Sequence, residues 1–384
     1  MSPIVTISGG GIIGNYISIR LNKSNIKSVI IEKSIKHDEL KEKIRTLTLN
    51  SFSKKLLDDL DIKLDYAEIN KINVFDAEGS GEITFSADEI KEEDLSYVIF
   101  FNDLLLELQK KAISSTFFNN EVKELKELSN DDCDILLSDG KRLQTKIIAG
   151  CDGRNSNIAK LSLFEPVTSD YKQTAITFNV KASLENKNIA YQIFSDKGIF
   201  AIMPLPYMVD EATHSIVWSV ENEKIKDSNS KDYINKNILY FANKLKTEIK
   251  ICSNNYTFNL SNHYFKDYVS GSSVLLGDAA HSIHPLAGQG INLGFADADV
   301  FCEEVIKGFE KSVHLEKKLI LKKYEIRRKN MNLIMLKSMD FFVTLFRSDN
   351  LYIKLLRNIG FSMVNKTQFL KRFFINHAAG KNRL

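Results

Sequence analysis

The sequence predicts an α/β fold in which a Rossmann-like nucleotide-binding domain carries an inserted antiparallel β-sheet domain (an α+β insertion) and a C-terminal helical region. Three observations lead to this prediction. A glycine-rich turn near the N-terminus follows an apolar run and opens a helical pattern. Residues 171–219 repeat short β-branched and aromatic runs, which is typical of an antiparallel sheet. Residues 311–384 have helical spacing.

Length and composition indicate a folded protein of two or three domains. The chain has 384 residues, 43% of them hydrophobic, and single cores rarely grow beyond about 250–300 residues. Its four cysteines form no C-x-x-C pair, so neither a disulfide framework nor a thiolate metal site is predicted. The N-terminus has no signal-peptide pattern, and no run of about 18 apolar residues occurs. We therefore expect a cytoplasmic protein.

The charge is unevenly distributed along the chain. Residues 311–384 contain 17 Lys and Arg against 4 Asp and Glu, a net +13, which leaves −10 for residues 1–310 because the chain total is +3. Such asymmetry can indicate an anionic partner such as a membrane or nucleic acid, and solvated basic helix faces explain it equally well. We predict no nucleic-acid partner.

The first motif is a dinucleotide fingerprint in its required context. The apolar run Ile4 to Ser8 leads into Gly9, Gly11 and Gly14, which satisfy G-x-G-x-x-G, and a helical pattern follows. A second strand then ends at Glu32. In this motif the glycines permit a tight turn, close approach of a pyrophosphate and helix–strand packing, while the acidic residue accepts a hydrogen bond from a ribose hydroxyl.

The chain between the motifs predicts alternating segments. Residues 41–65 are predicted as one helix, 72–85 as short strands, 103–114 as a helix and 121–143 as a meander, and a helix is expected over 231–249. A buried strand from Thr145 to Ala149 ends at a second motif, Asp152-Gly153. The predicted segments are the first part of the nucleotide-binding domain (1–71), strands of the inserted domain (72–99), the second part (100–170), the inserted domain (171–270), the third part (271–310) and the helical region (311–384).

The third motif runs from Gly277-Asp278 through a glycine-rich turn into a helix. Backbone N–H groups and the positive end of that helix, near Gly290, suit an anionic or electron-rich ligand. His281 and His284 lack a third ligand at useful spacing, so we predict no metal site. Since no nucleophile with a base and an orienting group is evident, we expect no covalent catalysis by a protein residue.

This ordered set of glycine–acid motifs resembles the FAD-dependent aromatic hydroxylases of the p-hydroxybenzoate hydroxylase fold. Within that fold the chain is most similar to the ubiquinone-biosynthesis hydroxylase family. The likeness is carried by Gly277-Asp278-Ala279-Ala280-His281 and Gly288-Gln289-Gly290, by Ala201-Ile202-Met203-Pro204-Leu205, and in the tail by Tyr324 with Arg327-Arg328.

The resemblance implies a role for each motif in binding FAD. The first fingerprint would bind the ADP half with Glu32 on its ribose, Arg45 would reach the pyrophosphate, and Asp278 would hold the ribityl and phosphate region. Asp152 and Gly153 would serve the pyrophosphate and the nicotinamide donor. The isoalloxazine ring would lie against the loop formed by Pro285, Gly288, Gln289, Gly290, Ile291 and Asn292, where Pro285 and Gly288 line the flavin.

Three departures from the family concern donor binding and flavin mobility. The chain has Cys151 where the family often has Ala before Asp-Gly, and an Arg expected after this second motif is replaced by Lys160. The segment before Leu104 also lacks the Arg that commonly precedes its helix.

The resemblance also implies an activity. NADPH or NADH would reduce FAD, dioxygen would form a flavin hydroperoxide, and a hydroxyl group would pass to the ring of a lipophilic prenylated phenol. The alternatives are a hydroxylase of a small soluble aromatic, a flavin reductase acting on prenyl chains, and a non-catalytic FAD-binding scaffold of the biosynthetic complex. A pocket with a buried Arg for a carboxylate would favour the small substrate, and the sequence identifies none.

The basic tail has two interpretations. Its phenylalanines and cations could meet the inner-membrane surface or other ubiquinone-biosynthesis proteins, or the phenylalanines could pack as core. We favour packing for most of them. They are Phe341, Phe342, Phe346, Phe361, Phe369, Phe373 and Phe374.

Overall fold

The computed structural model describes residues 2–34, 43–77, 81–112, 115–128, 132–184, 186–226, 230–282, 288–310 and 316–347. The strands of these segments are β1 (Val5–Ser8), β2 (Ser28–Glu32), β3 (Thr46–Leu49), β4 (Ala67–Ile69), β5 (Lys71–Asp76), β6 (Glu82–Ser86), β7 (Ser96–Phe100), β8 (Thr116–Phe118), β9 (Val122–Glu127), β10 (Cys133–Leu137), β11 (Arg142–Thr145), β12 (Ile147–Gly150), β13 (Pro166–Ala182), β14 (Ile189–Ser195), β15 (Gly198–Val209), β16 (Ala212–Glu221), β17 (Ile249–Ile251), β18 (Tyr256–Phe265), β19 (Val269–Ser270), β20 (Ser273–Leu275) and β21 (His281–Ser282). The helices are α1 (Ile12–Lys23), α2 (Ser51–Asp58), α3 (Phe101–Ala112), α4 (Asn157–Leu161), α5 (Asn222–Lys226), α6 (Ser230–Leu245), α7 (Gln289–Glu310) and α8 (Lys317–Arg347).

A six-stranded sheet forms the nucleotide-binding half. Its order is β19-β20-β12-β1-β2-β8, and every pairing except β19 with β20 is parallel. All four residues of the central strand β1 are buried, as expected for a parallel strand covered on both faces. Residues of α1, α3, α7 and α8 join this sheet in the largest hydrophobic cluster. The predicted α/β class is confirmed.

Two glycines let α1 pack closely on the sheet. Gly9 has φ +104°, and a Cβ atom there would lie 2.5 Å from the carbonyl oxygen of Cys151. A Cβ atom at Gly14 would lie 2.0 Å from the carbonyl oxygen of Gly9. Any larger residue would therefore push the helix off the turn, which is the packing role that the fingerprint assigns to the third glycine.

A nine-stranded sheet forms the second half of the molecule. Its main path is β21-β18-β13-β16-β15-β14-β5-β6, with β17 paired to β13. All of its pairings are antiparallel except β5 with β14. The predicted antiparallel sheet insertion is confirmed, while the segment boundaries given above remain a prediction.

The two faces of the nine-stranded sheet have different neighbours. One face packs on α6, where the rings of Phe200 and Phe241 stack with centroids 4.1 Å apart beside the buried Trp218. The other face meets β3, because the Thr46 hydroxyl lies 3.1 Å from the Ser215 hydroxyl. The strand β3 therefore packs against the face of this sheet that is turned away from α6.

The prediction of one helix over residues 41–65 is wrong within the described part of that segment. Thr46 to Leu49 form a strand that pairs with β7, and the helix α2 spans only Ser51 to Asp58. The alternation of β-branched threonines with leucines favours a strand, and Asn50 starts the helix by accepting a hydrogen bond from the Ser53 N–H at 2.8 Å. The regularly spaced leucines thus belong to two elements.

The helix α8 packs against the nucleotide-binding half. Its fully buried Tyr324 donates a hydrogen bond to the backbone oxygen of Leu275 at 2.8 Å. Within the described segments, no helix is long and apolar enough to cross a membrane. The side chains of the tail phenylalanines lie outside the described residues.

Candidate cofactor site

The first glycine loop presents an open backbone beside Glu32. A Cβ atom at Gly11 would meet nothing within 4 Å, and no side chain caps the helix that begins after it. Glu32 accepts hydrogen bonds from the Gly10 N–H at 2.5 Å and from the Ser34 N–H at 2.8 Å. The loop therefore offers space and backbone N–H groups to an anion and holds a carboxylate next to them.

Asp152 and Gly153 turn the chain away from the end of β12. One carboxylate oxygen of Asp152 accepts from the N–H groups of Asn157 and Ile158, at 2.8 and 3.2 Å. Its other oxygen is buried and has no hydrogen-bond partner among the described residues. Gly153 has φ +76°, and a Cβ atom there would have no neighbour within 4 Å. The turn therefore leaves one carboxylate oxygen of Asp152 and the backbone at Gly153 available to a ligand.

Arg45 and Asp278 interact electrostatically at a surface that solvent reaches. Solvent reaches both side chains, yet desolvation by the surrounding protein raises the pKa of Asp278 and lowers that of Arg45. The nearby His281, Arg45 and Arg154 oppose the rise in the pKa of Asp278. The Arg45 guanidinium also lies over the Phe101 ring. Both side chains are surrounded by protein atoms and still reach solvent, as expected for residues that line a cleft. Such a cleft could bind a ligand with anionic and hydroxyl groups.

The N-terminus of α7 is fastened to β3. The buried Asn292 side chain donates to the backbone oxygens of Thr48 at 3.0 Å and Gly288 at 3.3 Å, and it accepts from the Asn50 N–H at 3.0 Å. A Cβ atom at Gly290 would meet nothing within 4 Å. Asn292 thus fixes the turn through its side chain, while the backbone near Gly290 remains open.

The structure brings most of the predicted site residues to one region. Gly277, with φ +56°, packs against Ile13 of α1 and Gly294 of α7, so the third motif adjoins the first. Ile291 packs against the main core. The side chain of Gln289 and the whole of Pro285 lie outside the described residues.

A model of the FAD binding domain matches residues 3–332 of this sequence, which is most of the chain and includes all three motifs. The chain belongs to the FAD binding domain family. This family membership confirms the predicted flavoprotein. The assignment of individual residues to parts of FAD stays a prediction.

Curated relatives of this FAD-binding protein include enzymes named for ubiquinone chemistry. The 3-demethoxyubiquinol 3-hydroxylase of Escherichia coli is 24% identical, and the match covers 98% of both chains. The ubiquinone hydroxylase UbiL of Rhodospirillum rubrum is 29% identical over 65% of this chain and 57% of that protein. The predicted resemblance to ubiquinone-biosynthesis hydroxylases is confirmed.

Solved structures show the same fold. The crystal structure of p-nitrophenol 4-monooxygenase PnpA from Pseudomonas putida superimposes with a TM-score of 0.80 over 100% of this chain and 99% of that one, at 14% identity. The described residues fit FAD, because the open backbone at Gly11, the unpaired oxygen of Asp152 and the Arg45–Asp278 cleft supply the donors and acceptors that a dinucleotide needs.

Sequence patterns missed a buried polar group behind this site. Asp297 of α7 is fully buried and bonds the Gly277 N–H at 3.1 Å and His281 at 2.6 Å. The available signal was the presence of two aspartates, Asp297 and Asp299, within the otherwise apolar helical stretch from Leu293 to Val300, because a buried charge requires partners.

Proposed function

We propose that this protein uses FAD to hydroxylate the aromatic ring of a polyprenylated phenol in ubiquinone biosynthesis. NADPH or NADH would supply electrons to the flavin, and dioxygen would supply the oxygen atom. The named relatives support the reaction class. The choice of a prenylated phenol as substrate rests on the uncharged side chains on the face of the nine-stranded sheet turned toward β3.

That face carries small or uncharged side chains. The contacts of Thr46 with Ser215 and of Thr48 with Met203, whose sulfur lies 3.5 Å from the Thr48 hydroxyl, identify the face turned toward β3. Within residues 175–179, 199–203 and 215–219 the pairing register places nine uncharged residues there: Ala175, Thr177, Asn179, Ile199, Ala201, Met203, Ser215, Val217 and Ser219. The next pair on this face, Gln173 with Glu221, adds a carboxylate at its edge. Among these nine residues a carboxylate-bearing aromatic would find no cation, whereas an apolar phenol is compatible with them.

These surfaces suggest separate roles for FAD, for the Arg45–Asp278 side of the cleft and for the sheet face. FAD, when bound, supplies the redox and oxygen-transfer chemistry. The Arg45–Asp278 side of the cleft binds and orients its charged and hydroxyl groups. The uncharged sheet face holds the phenol ring and excludes water from the reacting centre.

The direct test is turnover of a short-chain prenylated phenol by purified, FAD-loaded protein with NADPH or NADH. We expect a product enriched by one oxygen atom, identified by mass spectrometry with labelled dioxygen. Ala201→Phe should raise KM for that phenol while FAD affinity is unchanged. Tight FAD binding without turnover of prenylated phenols would favour the scaffold alternative, and turnover of only carboxylated aromatics would favour the small-substrate alternative.

We further propose that the outer face of α8 contacts an anionic membrane surface that holds the lipid substrate. Leu319, Ile326 and Ile334 are 46%, 61% and 54% exposed, and they lie at helical spacing along one side. Lys318, Lys322, Lys323 and Lys337 are exposed on the same helix. An exposed apolar stripe bordered by lysines suits the interface of an anionic bilayer.

Vesicle flotation tests the membrane contact. The protein should float with vesicles that contain anionic lipid, and Ile326→Glu should reduce the bound fraction. Leu239→Glu is the matched control, because Leu239 is 66% exposed on α6. Equal flotation of both variants would show that α8 is not the contact, and binding only in the presence of another biosynthetic protein would point to a protein partner.

A further inference from the structure

A buried carboxylate joins the helix α8 to the loop that presents Asp278. Asp297 has no exposed surface. One of its oxygens accepts from the Gly277 N–H at 3.1 Å and His281 Nε2 at 2.6 Å. The other oxygen accepts from Arg328 Nε at 2.8 Å and Asn332 Nδ2 at 2.9 Å. One carboxylate oxygen therefore binds the loop, and the other binds α8.

The residues that Asp297 contacts in the loop lie on both sides of Asp278, the residue predicted to bind FAD. Gly277 precedes Asp278 directly, and His281 follows it by three residues. Both are bonded to the same oxygen of Asp297. The turn between them, Gly277–Ala279, is a single 3-10 turn. Because Asp297 holds residues on both sides of Asp278, a shift of Asp297 would move Asp278.

The helix contacts hold Asp297 in turn. Arg328 and Asn332 lie one helical turn apart, and Arg328 donates to the Asn332 side-chain oxygen at 2.8 Å. His281 and Arg328 keep the pKa of Asp297 well below its usual range against the opposing effect of burial. The carboxylate is therefore ionised, and removal of Arg328 would leave this buried charge with weaker compensation.

We propose that Arg328 is a positioning residue through which α8 sets the place of Asp278 and hence the affinity for FAD. The inference rests on FAD binding and is independent of the substrate assigned above. Arg328 acts at a distance, since its hydrogen bonds go to Asp297 and Asn332. It gives α8 a part in cofactor binding in addition to its packing on the sheet.

The adjacent Arg327 provides a matched control. It lies on the same helix and forms ion pairs with Glu303 at 2.8 Å and Glu304 at 2.6 Å, both on α7. Arg327→Met therefore removes a cation that links α7 to α8 and leaves the contacts of Asp297 intact. A purely structural role for Arg328 would give the two variants the same effect on FAD affinity.

The experiment measures Kd for FAD by fluorescence titration and Tm of the FAD-free full-length protein. Arg328→Met should raise Kd by about ten-fold or more, since buried charge pairs are costly to break. Arg328→Lys should restore much of the affinity, and Arg327→Met should leave Kd within about two-fold because partly exposed ion pairs contribute little. The visible circular dichroism of bound flavin should change in Arg328→Met alone.

Equal Kd values for Arg328→Met and Arg327→Met would overturn the proposal. If Arg328→Met does not yield folded protein, Asn332→Ala carries the test, since it removes one donor to Asp297 and keeps the arginine. It should raise Kd by about three-fold or more, the scale of one lost hydrogen bond, and an unchanged Kd would overturn the proposal. Tight FAD binding without hydroxylation in the wild type would count against the proposed function only.

Discussion

The guanidinium carbon of Arg45 lies 4.2 Å from the centre of the Phe101 ring. Arg45 precedes β3, and Phe101 is the first residue of α3, so the contact joins two elements at the cleft that contains Asp278. A guanidinium over an aromatic face gains cation–π attraction and loses side-chain freedom. Phe101 therefore orients Arg45 before any ligand arrives.

We expect Arg45→Met to weaken FAD binding by about ten-fold to a hundred-fold, because a hydrogen bond to a charged group contributes roughly 1.5–3 kcal/mol. Phe101→Leu should weaken it less, since the arginine is retained. Fluorescence titration measures both. Arg142→Met is the control, as Arg142 is exposed and paired with Asp134 on the meander. A Kd for Arg45→Met equal to that of the control would exclude Arg45 from the cofactor site.

The fingerprint glycines should separate folding from binding. Gly14→Ala places a Cβ atom 2.0 Å from the Gly9 carbonyl oxygen, so we expect a loss of soluble, folded protein or a large drop in Tm. Gly11→Leu adds a side chain where a Cβ atom meets nothing within 4 Å, and it should fold while losing FAD. Thermal unfolding of the FAD-free protein and flavin content measure the two effects. Gly11→Leu protein with full flavin content would contradict the proposed approach of the pyrophosphate.

The sequence predicted correctly those helices and strands that are determined by neighbouring residues. The run from Ile4 to Ser8 with its glycine turn became β1 and α1, because a buried strand and a steric turn are encoded within a few residues. The prediction of a helix over residues 41–65 is wrong in the described part of that segment, because its leucine spacing alone fits a helix. Pairing of β3 with β7, residues distant in sequence, decides its conformation.

Sequence motifs predicted the residues that line the site but not the side chains that hold those residues in place. Glycines and acids adjacent in sequence marked the cleft, whereas the contacts that fix it are distant in the chain. Arg328 reaches Asp297 across 31 residues, and Asn292 reaches Thr48 across 244. Periodicity carries no signal for such pairs, and a buried polar side chain shows its function only when its partners are known.

Asn292→Leu should destabilise the FAD-free protein by about 2–4 kcal/mol, because the N–H of Asn50 and the carbonyl of Thr48 lose their buried partner. It should also weaken FAD binding, since the turn before α7 would no longer be fastened to β3. Urea unfolding measures the stability. Asn330→Leu makes the same chemical change at an exposed position of α8 and should stay within about 0.5 kcal/mol of the wild type. Equal losses in the two variants would refute the fastening role.

Acid should destabilise the nine-stranded sheet through His214. The side chain is 4% exposed, and burial lowers its pKa from 6.5 to about 4. Its Nδ1 lies 2.8 Å from the Thr213 hydroxyl, and its Nε2 has no hydrogen-bond partner among the described residues. Because the folded state resists protonation and the unfolded state accepts it near pH 6.5, stability falls as the pH drops from 6.5 toward 4.

At pH 5 the loss of stability caused by His214 is about 2 kcal/mol, from 1.36 kcal/mol for each of the roughly 1.5 pH units below the unfolded-state pKa of 6.5. His214→Leu cannot take up a proton, so its free energy of unfolding should fall less between pH 7.5 and pH 5, by that amount. Thr213→Val is the control, since it removes the hydrogen bond and keeps the imidazole, and its pH dependence should match the wild type. Urea unfolding at the two pH values measures the difference. The same pH dependence in His214→Leu and the wild type would show that another group causes the acid sensitivity.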